Sequence, residues 1–352
     1  VIKVTVTKAK EFYEKYERFL VPAFLLIGFL LDVITFKSLQ IETTFIILGV
    51  YAFVAGASII YTSFYDGRKT PPQNIVLRYL RIGMPLLSQL ALGSMLSSAL
   101  LFYWFSGSLS ASWPILVFVA ILMVTSEVFR HIYLRPTVQI GFYAFILFSY
   151  FSILFPFLFT SLSAFVFLLG GTASYFIMLA IVSVLRYVSE TAAQKKRRMF
   201  AAVTLVFFGM NALYFLNVIP PLPLAIRDAG VYYSVRRNWD GYTLVGDKEV
   251  FPANILPGQT LKSPADGTLY VYTEIFAPAN LSTTIYHRWE YKDQATGKWT
   301  TRARPSFLLY GGRLPGYRGY TRNTHVSAGS WRVTVETERG QSLGRIPFTV
   351  VE

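Results

Sequence analysis

KKRRMFAAVTLVFFGMNALYFLNVIPPLP, residues 195–223, joins four adjacent cations, an apolar run over 199–219 and a cluster of three prolines. As a helix, an apolar run of this length matches a bilayer's hydrocarbon core of about 30 Å. Cations next to a membrane-spanning helix favour its cytoplasmic side. Prolines cannot continue a regular helix, and clustered ones favour extended backbone. The stretch therefore divides the chain. Apolar segments precede it, and a polar segment punctuated by Gly and Pro follows.

Working back toward the N-terminus, six further apolar runs lie at 20–36, 43–65, 82–105, 113–129, 140–159 and 163–185. With 199–219 they predict seven spans, preceded by an amphipathic arm at 1–19. Lys and Arg in the connections alternate. The arm carries five, the second connection four, the fourth two and the sixth five, whereas the first has Lys37 alone and the third and fifth have none. Sixteen against one on alternate sides puts the N-terminus in the cytoplasm and the C-terminal segment outside. An even number of spans would break the alternation.

Composition agrees with a polytopic membrane protein. Of the 352 residues, 53% are hydrophobic, 17% aromatic and only 15% charged. The net charge of +14 divides into +9 before Arg227 and +5 from there on. Membrane topology accounts for the larger share, so no nucleic-acid partner is expected. The chain has no cysteine, which excludes disulfides, thiolate metal sites and cysteine nucleophiles.

Ionisable residues inside a membrane are functional suspects, but here they gather at span ends. Gln89 and Asn211 are the polar groups near mid-span, and helix–helix hydrogen bonding is the first expectation for both. Glu127 lies three residues before Arg130, a spacing that suits a local ion pair. Small residues at packing distance (Ala52 with Gly56, Gly93 with Ser97, Gly170-Gly171 with Ser174) predict close helix contacts.

Beyond the prolines, read as a linker over 220–230, residues 231–352 form a β domain. Turn signals at Asp240-Gly241 and Gly246-Asp247 suggest a hairpin. Alternation is strong over 268–276, where Leu269, Val271, Thr273 and Ile275 share a face. It recurs with Ile285, His287, Trp289 and Tyr291, with Trp331, Val333 and Val335, and with Ile346, Phe348 and Val350. Such strands predict a small antiparallel sandwich of immunoglobulin-like type.

The strings Tyr286-His287-Arg288-Trp289, Gly316-Tyr317-Arg318-Gly319-Tyr320-Thr321, Gly329-Ser330-Trp331-Arg332-Val333 and Gly340-Gln341-Ser342-Leu343-Gly344 carry a resemblance. Over about residues 266–351 the chain resembles the bacterial "domain of unknown function 2914" family. That resemblance implies a domain carried after a multi-span membrane region, and it implies no activity.

Three histidines (His131, His287 and His325) show no metal-ligand spacing, and no nucleophile elbow or phosphate loop is present. No catalytic residue, metal or cofactor is therefore expected. Residues 302–322 stand out for five arginines among Phe307, Tyr310, Tyr317 and Tyr320 with no acidic residue. They are read as an exposed loop or edge. Arg and Tyr suit binding surfaces, which makes Arg304, Arg313, Tyr317, Arg318, Tyr320 and Arg322 the candidate contacts. The expected protein is a non-enzymatic scaffold or accessory subunit in a bacterial inner membrane, in contact with membrane lipids. Its outer module would bind a protein partner, or an anionic glycan or lipid head group. Transport or lipid handling by the helices, with the β domain as regulator, is the alternative. A C-terminal reporter active only outside the cytoplasm should be active on this chain. Activity of a cytoplasm-only reporter would overturn the odd span count.

Overall fold

The computed structural model describes residues 41–67, 75–106, 109–133, 135–239, 241–246, 259–264, 266–279, 281–313 and 315–352. The arm at 1–19 and the expected span at 20–36 lie outside them. Seven helices come first among the described residues: α1 (Ile41–Asp66), α2 (Ile75–Ser106), α3 (Leu109–Val128), the single turn α4 (Arg130–Tyr133), α5 (Pro136–Leu158), α6 (Ala164–Val188) and α7 (Glu190–Phe215). Five of them contain stretches long and apolar enough to cross a membrane: Thr43–Asp66, Gly83–Ser106, Pro136–Leu158, Ala164–Val188 and Glu190–Phe215. The run expected at 113–129 yields a shorter apolar helix, Ser112–Ser126. Large apolar side chains stand exposed on these helices, including Phe53 at 76%, Phe165 at 71% and Leu205 at 74%. Water would not tolerate so much exposed apolar surface, whereas lipid would.

The described residues divide into two compact units, one within 1–101, 117–154 and 169–211, the other within 102–116, 155–168 and 212–352. In the first unit, helix contacts form where small residues let aromatic side chains approach. Tyr143 Oη donates to the Ala52 carbonyl at 2.8 Å, one turn from Gly56. A Cβ on Gly56 would meet that hydroxyl at 2.7 Å, and one on Gly171 would meet the Phe148 ring at 2.7 Å. Two of the three small-residue sets thus mark close approaches, while a Cβ on Gly93 would meet nothing within 4 Å. Arg81 and Asp66 form a bidentate pair, both contacts at 2.7 Å. Helix α7 begins at Glu190, so the cationic cluster 195–198 is helical rather than loop.

The second unit gathers the end of α2, the start of α3, the α5–α6 connection, the end of α7 and all eleven described strands. The α5–α6 connection lacks Lys and Arg. The strands are β1 (Ala225–Tyr232), β2 (Ser234–Asn238), β3 (Gly241–Val245), β4 (Gln259–Lys262), β5 (Leu269–Phe276), β6 (Ser282–Lys292), β7 (Trp299–Ala303), β8 (Ser306–Tyr310), β9 (Tyr317–Asn323), β10 (Gly329–Thr337) and β11 (Ser342–Val351). One sheet runs β1-β5-β9, and the other runs β4-β11-β10-β6-β7 with β8 also on β6; β2 and β3 form a hairpin. Among the described pairings, only β4–β11 is parallel.

The two sheets enclose one core containing Val271, Ile275, Trp289, Val333, Ile346 and Phe348. The alternating faces read from the sequence all point into it. The stretch 302–322, read as an exposed loop or edge, holds β8 and β9, and β9 is the edge strand of its sheet. The prolines depart from their reading. Strand β1 begins at Ala225, inside the stretch read as a linker, and Pro220 to Leu224 are buried. They form turns, with Leu222 N–H donating to Pro220 O at 2.9 Å and Leu224 N–H to Pro221 O at 3.0 Å. Burial of the apolar Leu222 and Leu224 side chains outweighs proline's preference for an extended chain. Nearby, Arg339 in the β10–β11 turn donates to Tyr214 Oη at 2.7 Å and lies over that ring at 4.5 Å. Tyr214 in turn stacks on Phe167, centroids 3.7 Å apart.

One polar residue bridges the core. His287 on β6 is fully buried; its Nδ1 lies 2.8 Å from Thr321 Oγ1 on β9 and its Nε2 lies 3.2 Å from Thr273 Oγ1 on β5. Thr273 Oγ1 also reaches the Gly319 carbonyl at 3.5 Å. The set is satisfied when Nε2–H donates to Thr273 and Thr321 donates to Nδ1. Burial pushes the imidazole down from 6.5 to about 3. The unfolded chain therefore takes up a proton that the folded chain refuses. This contribution is complete above pH 6.5 and is lost as pH falls toward 3, by at most about 1.4 kcal/mol per unit. His287→Gln removes the titration. The stability difference between wild type and variant should narrow from pH 7 to pH 4 in thermal denaturation, and parallel pH curves would contradict it.

Candidate functional site

The six candidate Arg and Tyr residues do not form one loop; the strands sort them by face. Residues two apart on a strand share a face, and β9 buries Gly319, Thr321 and Asn323 while exposing Tyr320 and Arg322. Arg318 points to the same side as Tyr320 and Arg322. Gly319 is needed on the inner side, since a Cβ there would meet the Phe307 ring at 2.3 Å. Tyr317 packs against the core, stacked on Phe307 with centroids 6.2 Å apart. Arg313 lies over the Tyr317 ring at 5.1 Å. Arg304, between β7 and β8, reaches the other sheet, where its Nε donates to Glu336 Oε1 at 2.8 Å and its guanidinium lies over Tyr286 at 4.1 Å.

Register extends the Arg318–Tyr320–Arg322 row across the three-stranded sheet. Tyr232, Tyr270 and Arg322 form one rung, Gly230, Tyr272 and Tyr320 the next, and Asp228, Glu274 and Arg318 the third. Tyr242 from the β2–β3 hairpin joins this face, 5.7 Å from Tyr272 and 6.0 Å from Tyr320. Tyr270 lies 6.2 Å from Tyr320. Five tyrosines therefore adjoin one another. Arg318 Nε donates to Glu274 Oε2 at 2.8 Å, which holds its guanidinium in place. Arg322 is exposed and makes no ion pair with any described residue. Burial, helped by the Glu274 charge, raises the Tyr272 phenol, keeping it a neutral donor. Burial and then Glu274 also raise the Asp228 carboxyl, against the Ala229 amide. Among the described residues this face offers flat aromatic area, the Arg322 guanidinium and hydroxyl donors.

The outer face of the larger sheet is ionic. Glu290 accepts from Arg332 Nε at 2.8 Å, Arg332 Nη2 at 3.0 Å and Thr334 Oγ1 at 2.9 Å. Burial pushes the Glu290 carboxyl up, but those donors outweigh it and leave the group below its usual value. Glu336 receives Arg304 and, at 3.1 Å, Arg288. The alternation of Arg288 with Glu290 and of Arg332 with Glu336 was legible, but not the pairing of their strands. The Tyr270, Tyr272 and Glu274 face was likewise visible as a pattern, without the β9 neighbour that completes it.

In the helices, Asn211 Nδ2 donates to the Phe207 carbonyl one turn back at 2.8 Å, while its buried Oδ1 has no partner among the described residues. Its described bond is thus within its own helix rather than between helices. Gln89 is half-buried on α2. The Glu127 side chain lies outside the described residues. Among the described residues, no group of three or more His, Cys, Asp or Glu could hold a metal ion.

The model of a family described as "Protein of unknown function (DUF2914)" matches residues 282–350. The match takes in the whole ionic face and, of the tyrosine face, only the β9 residues. Comparison with curated proteins finds no match. Among solved structures, a β-glucosidase from Kluyveromyces marxianus matches at 13% identity over 25% of this chain and 13% of its own, with a TM-score of 0.19. A β-glucosidase from Listeria innocua in complex with glucose matches at 11% identity over 36% of this chain and 16% of its own, TM-score 0.21. The alkylpurine DNA glycosylase AlkC of Pseudomonas fluorescens matches at 11% identity over 87% of this chain and 99% of its own, TM-score 0.23. Scores this low carry no shared fold or function.

Truncating the inner partner of the ionic face should be costly. Arg332→Ala leaves Glu290, only 5% exposed, without its bidentate donor. A loss of about 3–5 kcal/mol is expected at neutral pH, against less than about 0.5 kcal/mol for Arg322→Ala. Equal stabilities in denaturant titrations would refute the assignment.

Proposed function

We propose that this chain is a non-catalytic scaffold or accessory subunit of a bacterial inner membrane. Seven spans anchor it with the N-terminus in the cytoplasm, and an immunoglobulin-like module stands on the outer side. That module binds a partner protein through the outer face of the β1-β5-β9 sheet. The observation that carries the reading is the rung register, which aligns Tyr232, Tyr270, Tyr272 and Tyr320 with Arg318 and Arg322 on one face beside Tyr242. Tyr and Arg dominate binding energy at protein interfaces because both offer rigid area and directional donors. Here the rings pack on one another and Glu274 steadies Arg318, so little side-chain freedom remains to be lost on binding.

The immunoglobulin-like reading is supported by strand order. Neighbours β11-β10-β6 in one sheet and β5-β9 in the other match the G-F-C and B-E strands of that sandwich. Trp289, fully buried on β6, occupies the place of its core tryptophan. The membrane reading is supported by five long apolar helices and by the strict alternation of cationic connections.

Of the residues first proposed, Tyr320, Arg322 and Arg318 remain in the contact set, joined by Tyr270 and Tyr242. Arg304, Arg313 and Tyr317 leave it, since Glu336 holds Arg304, Arg313 lies over the Tyr317 ring and Tyr317 packs on Phe307. The full chain carrying Tyr320→Ala with Arg322→Ala, purified from native membranes in mild detergent, should recover at least about tenfold less of a partner that the wild type retains. Lys298→Ala, in an exposed turn, should recover it fully. Equal recovery by the double variant would reject this face.

A further inference from the structure

The outer face of the larger sheet holds more positive charge than its own residues neutralise. Arg288, Thr334 and Arg345 lie on one rung across β6, β10 and β11; Glu290 with Arg332 forms the next, and Tyr286 with Glu336 lies on the other side. All project away from the core that His287, Trp289, Val333, Val335 and Ile346 fill. With Arg304, which reaches Glu336, four guanidinium groups share two carboxylates. Both carboxylates are engaged: Glu290 by Arg332 and Thr334, Glu336 by Arg288 and Arg304. These six groups therefore keep an excess of two positive charges.

Arg345 carries that excess. It is half-buried and makes no hydrogen bond or ion pair with any described residue, and its Nε is buried without an acceptor. The Nε of Arg288, across Thr334, is in the same condition. Burial, then repulsion by Arg332, pulls the Arg345 guanidinium down from its usual value against the attraction of Glu290. Arginine cannot lose its proton at any pH a protein meets, so the charge stays. Arg288 and Arg345 are two strands apart, about 10 Å between backbones, with only the small Thr334 between them. Two arginine side chains can converge on one tetrahedral anion across that gap, and guanidinium forks match phosphoryl oxygens in geometry.

We infer that this face is an oxyanion site that binds a phosphoryl group through Arg345, Arg288 and Arg332. The inference is independent of the tyrosine face, which lies on the opposite sheet. The phosphoryl group could come from a free phosphate or from a phospholipid head group; the chemistry is shared and the experiment separates the sources.

The full-length chain in a neutral detergent is titrated with inorganic phosphate at constant ionic strength, with chloride as the reference salt, and its thermal midpoint is followed. Phosphate should raise the midpoint with saturation and chloride should not. Arg345→Gln should weaken the apparent phosphate affinity at least tenfold. In phosphate-free buffer the same variant should melt no lower than wild type, because it removes a half-buried charge that no described ion pair holds. In a second arm, phosphate-free nanodiscs of phosphatidylglycerol are compared with phosphatidylcholine. A gain in phosphatidylglycerol that Arg345→Gln loses identifies the lipid as the source, and a gain with inorganic phosphate alone identifies the free anion. Should the variant fail to fold, phosphorus-31 line broadening of inorganic phosphate by wild type, reversed by excess unlabelled sulfate, decides the matter. The site is rejected if wild type responds to neither probe, if chloride acts as strongly as phosphate, or if Arg345→Gln responds like wild type.

Discussion

A polar ring taken into a sandwich core must find its partners there, and His287 finds them on the opposite sheet. Its two nitrogens meet Thr273 on β5 and Thr321 on β9, while its own strand belongs to the larger sheet. An unpaired ring at that depth would cost far more than one lost contact. The bridge therefore tolerates one alignment of the sheets. A one-residue slip of β9 would carry Thr321 outward and bring Tyr320 or Arg322 into the core. The placement of both outer faces depends on that alignment.

Much of the architecture was legible because it rests on local periodicity. Helices long and apolar enough to cross a bilayer follow from apolar length, and the inner faces of β5, β6, β10 and β11 follow from alternation around Val271, Trp289, Val333 and Phe348. What could not be read was the order of the strands. Arg304 and Arg318 lie fourteen residues apart in a stretch that looks like one basic loop, yet each pairs with a glutamate on a different sheet, Glu336 and Glu274. Nothing local separates them, since the difference lies in which distant strand each neighbours. The isolation of Arg345 is hidden for the same reason: it shows only once Thr334 stands between it and Arg288. The prolines at 220–223 misled in the opposite way. Local preference indicated an extended linker, and tertiary burial of Leu222 and Leu224 overrode it.

The sandwich divides its chemistry between its two outer surfaces. One is aromatic and nearly balanced in charge, built from rings and hydroxyls, and suits broad contact with a partner. The other is a lattice of guanidinium and carboxylate groups with cations in excess. The family match takes in all of the second and only the β9 residues of the first. Residues 282–350 thus hold the ionic surface entire, while the aromatic surface needs strands from outside them.

The buried turn after α7 has a mechanical consequence. A flexible tether would leave the end of α7 free of the strands. Here the chain passes from Phe215 to Ala225 through packed prolines, and Arg339 grips Tyr214 from the far turn of the sheet. The end of α7 is therefore held at two points, one along the chain and one through space. A twist of that helix end would be passed to β1 and to the β10–β11 turn together, as a crank passes rotation to a plate fixed at two bolts.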